Sequence, residues 1–331
     1  MSNQLNTKAL AQKIKQDIDK FCVDKWNKGP RNHLGASQIG YSCKRYLWLL
    51  FRWCDYKVHD ARQYRLFQRG HFEEPRFKMY LEGAGWQVQE FAKALFYHPK
   101  SDSYLIEDVD YNIKNIGDAQ FCINVTNELI HIEKAKEQGV ICDKGKMQIR
   151  ISACKSHFGG SVDGIAKHPD FNLKFLAEYK THGTGLKFNN LVKNACELEK
   201  YVYFCQQCIY GYKLDLNYSI FLTVNKNDDD IYAEVIELNH KLGKELEDKA
   251  EEIIFSQTSP EPASLSKDSY DCRYCDFKDV CYGSKPILKN CRSCKKCLPV
   301  DNAEWYCSLY QQIIPKEYIS LGCQEWYSIL L

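Results

Sequence analysis

Apolar and polar positions alternate along this chain with two periods, and the two kinds of stretch are interleaved. Residues 5–26 carry a helical apolar pattern rich in lysine and aspartate, which the run KGPRNHLG breaks. Residues 43–53 are aromatic and apolar with basic residues among them, predicting a second helix. A long helix is expected over 60–82, ended by Gly83, Ala84 and Gly85. Strands are expected over 86–91 and 103–109, and 112–146, polar and weakly patterned, reads as a partly helical insertion. MQIRISA, HFGGSVDGIAKH and NLKFLAEYK read as consecutive strands of one sheet. A helix over 188–212 follows, then strands NYSIFLTVN and DIYAEVIEL joined by a polar turn at 226–230, then an amphipathic helix over 240–255. SQTSPEPASLSKDS reads as a linker to a cysteine-rich end. Strands with helices between them give an α/β or α+β core, a central mixed sheet flanked by helices.

Composition narrows the class. At 331 residues the chain is long enough for one large core or a core with a small appendage. No run approaches the ~18 apolar residues of a membrane helix, and the N-terminal segment is too polar for a secretory signal. A cytosolic protein is the expectation. The net charge of +2 excludes a protein that coats nucleic acid through bulk charge. Nucleic-acid binding would need a local basic strip, with Lys44, Arg45 and Arg52, or the helically spaced Arg62, Arg65 and Arg69, as candidates. Each of these also reads as an ordinary solvated charge.

Seventeen cysteines in a cytosolic chain point to metal rather than disulfides, and eight of them fall between Cys272 and Cys323. The scattered ones (Cys22, Cys54, Cys122, Cys142, Cys154, Cys196, Cys205, Cys208) read as small buried hydrophobes. Cys272-x-x-Cys275 followed by Cys281 supplies three corners of a tetrahedron and needs a fourth ligand from elsewhere. Cys291-x-x-Cys294 with Cys307 and Cys323 reads as a small structural zinc site, with Cys297 as a spare or alternative ligand. The tail has few apolar residues, which favours a metal as its staple.

The sharpest chemical feature is Asp163-Gly164 followed by Glu178-Tyr179-Lys180. An aspartate on one strand and Glu-x-Lys on the next gather two carboxylates and an ammonium at one end of a hairpin. Residues two apart on a strand share a face. Two hard carboxylates suit Mg²⁺ or Mn²⁺, and a lysine beside them can orient the attacking water and offset charge on a phosphate. These are the requirements of phosphodiester hydrolysis. The competing reading is a solvated hairpin with surface charges, since D-G is a common turn and E-x-K recurs widely.

With these residues the chain resembles the PD-(D/E)XK nuclease superfamily, and within it the RecB-like exonucleases of phages and CRISPR-associated systems. Further residues match that pattern. LFQRGHFEEPRFKMYLEGAGW contains Gly70-x-x-x-Glu74, where the family carries an acidic metal ligand. His71 is the alternative ligand, and Glu73 and Arg76 read as an exposed face. YVYFCQQCIYGY contains Gln206-x-x-x-Tyr210, like the family's QxxxY helix, and Gly160 and Gly164 bracket Asp163. Val162 stands where many members have proline. The resemblance spans about residues 36–323.

It implies a restriction-endonuclease-like core over 1–284 and a zinc-binding tail over 285–331. It implies Glu74, Asp163 and Glu178 as Mg²⁺ or Mn²⁺ ligands, Lys180 as the residue that positions water, and Gln206 and Tyr210 as its organisers. It implies a [4Fe–4S] cluster on Cys43, Cys272, Cys275 and Cys281, which zinc could equally fill by spacing alone. The implied activity is exonucleolytic hydrolysis from DNA ends in recombination, repair or phage genome processing, with room for a recombination or helicase partner. The rival expectations are a non-catalytic DNA-end clamp and a structure-specific endonuclease. A redox protein fits poorly, because no nucleotide-binding glycine loop accompanies the cysteines. Tyr201, Tyr203, Phe204, Tyr210 and Tyr212 lie on one predicted helix, where they could stack on bases or form its core face.

Overall fold

The computed structural model describes residues 6–91, 93–98, 103–107, 113–116, 130–138, 148–183 and 185–330. Along the chain run α1 (Thr7–Trp26), β1 (Leu34–Gly35), α2 (Lys44–Phe51), α3 (Ala61–Gly83), β2 (Gln87–Gln89), β3 (Lys93–His98), β4 (Ser103–Glu107), β5 (Ile113–Ile116), β6 (Ile130–His131) and α4 (Ile132–Glu137). Then come β7 (Arg150–Ala153), β8 (Phe158–Ser161), β9 (Gly164–His168), β10 (Phe171–His182), α5 (Gly185–Glu199), α6 (Tyr201–Leu214), β11 (Tyr218–Asn225), β12 (Ile231–Glu237) and α7 (His240–Phe255). The end of the chain carries α8 (Lys278–Cys281), β13 (Cys297–Pro299), β14 (Trp305–Cys307), β15 (Gln312–Ile313) and α9 (Lys316–Ile319). The chain is mixed α/β, as expected, with a mixed sheet flanked by helices.

Two compact units form. One holds residues up to Arg76, Ala153–Phe158 and Asp248 onward; the other holds Phe77–Ser152 and Gly159–Glu247. Residues 285–331 therefore fall in the unit that also contains the N-terminal segment.

The second unit is built on a five-stranded sheet in the order β12-β11-β10-β9-β2. β10 pairs parallel with β11, and the other pairings in this sheet are antiparallel. β11 reads as a nearly continuous apolar run because both its faces are covered. One face packs Phe175, Ala177 and Tyr179 of β10 with Ile220, Leu222 and Val224 of β11 and with Phe77 and Leu81 of α3. The other face turns Glu178, Lys180 and His182 the opposite way, as the two-residue repeat requires. A separate sheet in this unit has the order β5-β4-β3-β6.

Three expectations about elements are corrected. HFGGSVDGIAKH is two strands in two sheets. The Val162 N–H still bonds to Ile149 O at 2.9 Å, and the chain then bends at Asp163 so that only β9 joins the five-stranded sheet. The single helix over 188–212 is two helices. Ala195 adopts φ 64° and ψ 169°, which lets the next N–H, of Cys196, bond to Glu234 Oε2 at 2.9 Å, and α6 restarts after Lys200. β3 and β5 lie in stretches whose polarity pattern predicts no strand. The insertion expected over 112–146 contains α4 and two short strands among its described residues.

In the first unit, α1 is a charged helix with only Cys22 buried. Its i,i+4 pairs Lys13–Asp17 and Lys15–Asp19, at 2.8 and 2.7 Å, supply the local support expected of such a helix. The core lies elsewhere, around Trp48, Phe51 and Trp305. His157 is wholly buried there, against the rings of Phe51 and Trp305 at 5.8 and 5.3 Å, with Nε2 2.8 Å from Val300 O. Burial pulls its pKa down to about 4, the bond to Val300 opposes this, and the Arg292 charge adds to the depression. Arg292 lies 4.6, 4.3 and 4.5 Å from the rings of Phe51, Trp53 and Trp305.

The placement of Arg52 in a nucleic-acid-facing strip is overturned: its side chain is fully buried. Its neighbours on the expected strip are engaged too. Arg45 donates to Pro260 O and Cys281 O, and Lys44 pairs with Glu252 at 2.5 Å. Arg62, Arg65 and Arg69 are exposed, with Arg65 paired to Asp19 at 2.6 Å.

Candidate active site and thiol clusters

β9 ends before β10 does. Their register stops at Gly164 opposite Ala177, so β10 runs on with β11 alone along its other edge. Where the β9 ladder is missing, Asp163 replaces it: Oδ2 accepts the Tyr179 N–H at 2.7 Å. Asp163 therefore stands on a bend before the strand, not within it, and its carboxylate is fixed to the segment that presents Glu178 and Lys180. Gly164 is required by packing, since a Cβ there would lie 2.8 Å from Val88 Cγ1.

The Glu178 side chain is 1 % exposed and pairs with the Lys180 ammonium. Lys180 Nζ also donates to Tyr179 O at 3.2 Å and lies 5.3 Å from the Tyr203 ring. Burial pulls the Lys180 pKa down, but the charges of Glu178 and Asp163 and the bond to Glu178 outweigh it, so the net shift is upward. The expected grouping of Asp163, Glu178 and Lys180 is thus present.

Gln206 and Tyr210 are both buried on α6. Gln206 Nε2 reaches Tyr210 Oη at 3.5 Å, and Tyr210 Oη donates to Ser161 O at 2.9 Å, which ties α6 to the chain just ahead of Asp163. Gln206 Oε1 is buried with no hydrogen-bond partner among the described residues. Of the helix aromatics, Phe204 and Tyr210 are core, while Tyr201 is half exposed.

His182, two positions beyond Lys180 on the same face, escaped the sequence reading, as did three lysines near it. Burial lowers its pKa to about 4, helped by the charges of Lys200, Lys226, Lys180 and Lys187. Lys187 follows β10 and Lys226 follows β11, at the carboxyl end of a parallel pair, where ligands bind in open α/β sheets, while Lys200 stands at the N-cap of α6. The predicted strand–helix–strand order around β10 and β11 was the signal available for Lys187 and Lys226, but not for Lys200.

Glu74 belongs to the other unit. Its Oε1 lies 3.0 Å from His71 Nδ1, and its side chain is one-third exposed. Glu73 is corrected: it is buried and pairs with Arg76 at 2.6 Å, so it is not part of an exposed face. A Cβ at Gly70 would meet nothing, so no steric need explains that glycine.

The cysteines fall into the two expected groups. Cys43, Cys272, Cys275 and Cys281 line one cavity of about 290 Å³ in the first unit. Cys43 caps α2 and accepts the Tyr46 N–H at 3.3 Å, and Cys272 accepts from Tyr282 Oη at 3.3 Å. Burial raises the Cys275 and Cys281 thiols, and the other three sulfurs of the group add to this at Cys275.

Cys291, Cys294, Cys297, Cys307 and Cys323 line a second cavity of about 20 Å³, the scale of a single ion. Cys297 and Cys307 are cross-strand partners in β13 and β14. Burial, then repulsion from Cys323, Cys294 and Cys307, pushes Cys291 up to about 11. Among the described residues no three or more histidine, cysteine or acidic side chains are placed to hold a metal ion, so each of the two groups lines its cavity without forming a ligand shell. Cys22, Cys54, Cys196, Cys205 and Cys208 are buried as expected, Cys154 is partly exposed, and Cys122 and Cys142 lie outside the described residues. No helix among the described residues is long and apolar enough to cross a membrane.

No known protein family's profile and no curated protein matches the chain. Solved structures give distant likenesses. One is the protein SSO0001, at 13 % identity and TM-score 0.40, covering 82 % of this chain and 97 % of that one. Another is an alkaline exonuclease, LHK-Exo, from Laribacter hongkongensis, at 15 % identity and TM-score 0.34, covering 67 % of this chain and 86 % of its own. LHK-Exo in complex with dAMP gives TM-score 0.37 at the same identity and coverage. Likenesses this distant assign neither family nor activity to the chain.

Proposed function

We propose that the chain is a divalent-metal-dependent deoxyribonuclease that hydrolyses phosphodiester bonds from DNA ends, in the cytosol of a bacterium or of a phage-infected host. The observation that carries this reading is the grouping on β10: a buried Glu178 paired with Lys180, beside an Asp163 carboxylate fixed at the Tyr179 N–H. Burying a carboxylate and an ammonium is costly unless they are paired, and replacing both by apolar residues is often neutral or stabilising. Their retention beside a further carboxylate is therefore more readily explained by chemistry than by stability.

Asp163 and Glu178 offer the hard oxygen donors that Mg²⁺ or Mn²⁺ prefers. Glu74 enters as a third carboxylate on sequence grounds alone. Such an ion, when bound, polarises a phosphoryl oxygen and lowers the pKa of bound water. The protein's own contribution is positional. Lys180 holds a cation against the reacting phosphate and orients the attacking water. Tyr210, anchored to Ser161 O, and Gln206, with its unmatched Oε1, keep α6 in place beside Lys180. Lys187, Lys200 and Lys226 supply a positive field for the strand's phosphates. Cys43 with Cys272, Cys275 and Cys281 would hold a structural [4Fe–4S] cluster, for which zinc is the alternative, and the tail cysteines would hold zinc.

The test is incubation of the protein and its Lys180→Ala variant with end-labelled linear DNA and with closed circles, in Mg²⁺, Mn²⁺ or EDTA. Metal-dependent loss of linear DNA alone, absent in the variant, is the expected result. Cutting of circles would move the assignment to an endonuclease, and no cutting by metal-replete protein would leave a DNA-end clamp.

A further inference from the structure

Two positive charges are buried in the first unit, and one of them is hydrogen-bonded to the backbone of the tail cysteines. Arg52 and Arg292 are 0 % and 1 % exposed. Their donors go to backbone carbonyls: Arg52 Nη2 to Cys294 O at 3.2 Å and Cys297 O at 2.9 Å, and Arg292 to the carbonyls of Asn32, Arg31 and Phe51. Among the described residues neither makes an ion pair with a carboxylate, and Arg52 Nε and Nη1 and Arg292 Nε are buried without an acceptor.

A carbonyl satisfies a donor but brings no net charge, and a buried ion without a counter-charge is strongly unfavourable. The rings around Arg292 offset only part of this, since a desolvated cation–π contact contributes about 2 kcal/mol. The side chains able to carry negative charge that act on these two groups are thiols: Cys54 and Cys297 on both, and Cys294 on Arg52. As neutral thiols they offset nothing. A divalent ion on four thiolates carries two net negative charges. Cys294 Sγ already accepts from the Lys296 and Tyr327 N–H groups, both at 3.5 Å, and its carbonyl is one of the two that Arg52 Nη2 donates to.

We propose that Arg52 and Arg292 are the built-in counter-charge of a four-thiolate metal centre on Cys291, Cys294, Cys307 and Cys323, so that metal binding and burial of the two guanidiniums stabilise one another. The inference rests on reading the tail as a zinc site. It goes further in requiring a doubly negative centre, which a Cys₂His₂ set would not provide. It also explains why the chain keeps two like charges buried side by side.

The experiment uses full-length protein and its Arg52→Met, Arg292→Met and Arg52→Lys variants. Zinc affinity is read by competition with a chromophoric chelator, and Tm is read with the metal loaded and stripped. Each Met variant should bind zinc about 10–100-fold more weakly, the range for loss of a group that supports metal ligands. The Tm gap between loaded and stripped protein should narrow in each, and Arg52→Lys should stay close to the parent. A purely structural role would lower both Tm values together and leave zinc affinity unchanged, which would overturn the proposal.

Should the Met variants not fold, Cys323→His, which removes one negative charge from the centre, serves instead with Arg52→Lys as its partner. The parent and the Lys variant should then lose zinc affinity alike, and an unaltered affinity in Cys323→His would overturn the charge argument. Absence of any metal from the parent's tail cysteines by elemental analysis, unchanged in Cys307→Ser, would remove the zinc reading and this inference with it.

Discussion

Asp163 has two jobs in this structure, and a pair of substitutions separates them. Its Oδ2 accepts the Tyr179 N–H at 2.7 Å at the point where β9 no longer supplies a ladder partner. Its charge is also what the proposed metal site needs. Asp163→Ala removes acceptor and charge together. Losing a hydrogen bond to a charged group costs about 1.5–3 kcal/mol, towards the lower end here because Asp163 is only half buried. For a unit of this size that corresponds to a Tm lowered by about 3–12 °C. Asp163→Asn keeps a neutral acceptor at the same reach, and neutral hydrogen bonds contribute about 1 kcal/mol, so it should lose roughly half as much. Both variants should be inactive, because neither offers a carboxylate. Urea unfolding of the three proteins, followed by cleavage of linear DNA with Mg²⁺, reads the two effects independently. Equal destabilisation by Asn and Ala would refute the cap. An Asn variant cutting at the parental rate would refute the catalytic carboxylate.

Three other outcomes are expected. Lys180→Met leaves Glu178, 1 % exposed, as a buried charge without its ammonium, and should destabilise by about 3–5 kcal/mol; adding Glu178→Gln should recover most of that, and an unchanged urea midpoint in the single variant would contradict the buried pair. His157 binds a proton near pH 6.5 when unfolded but only near pH 4 when folded, so its contribution is fully present above pH 6.5 and falls away as pH drops towards 4. About 2 kcal/mol should be lost by pH 5, and His157→Gln should flatten that part of the stability profile; a variant as acid-sensitive as the parent would count against it. Gly164→Ala forces a Cβ to within 2.8 Å of Val88 Cγ1 and should destabilise by about 1–3 kcal/mol, measured by urea unfolding.

What could be read from the sequence was set by the range over which the responsible physics acts. The two-residue repeat alone puts Glu178 and Lys180 on one face and Tyr179 on the other, and the structure agrees, with Tyr179 stacked on Phe77 at 5.2 Å. Cysteine spacing within a knuckle is equally local, and each sulfur group lines a single cavity, though among the described residues neither is placed to hold a metal ion. Arg52 shows the limit. In KRYLWLLFRW a basic residue beside an apolar helix reads as solvent-facing, and only the arrival of Cys294, Cys297 and Trp305, more than 240 positions later, closes over it. Splitting 188–212 into two helices depends likewise on Glu234 of β12, which takes the N–H freed at the kink.

The lysines around His182 stand between these cases. A strand, a helical stretch and a second strand were all expected, and a crossover of that length makes the two strands parallel neighbours. Their carboxyl ends must then lie together, which brings the residues after β10 and β11 to one edge. Lys180 lies on that edge by its position in β10, and Lys226 by following β11. A sequence rule applied one step further would therefore have placed positive charge beside Glu178 without any three-dimensional information. It would not have found Lys200, whose place depends on where α5 ends and α6 begins.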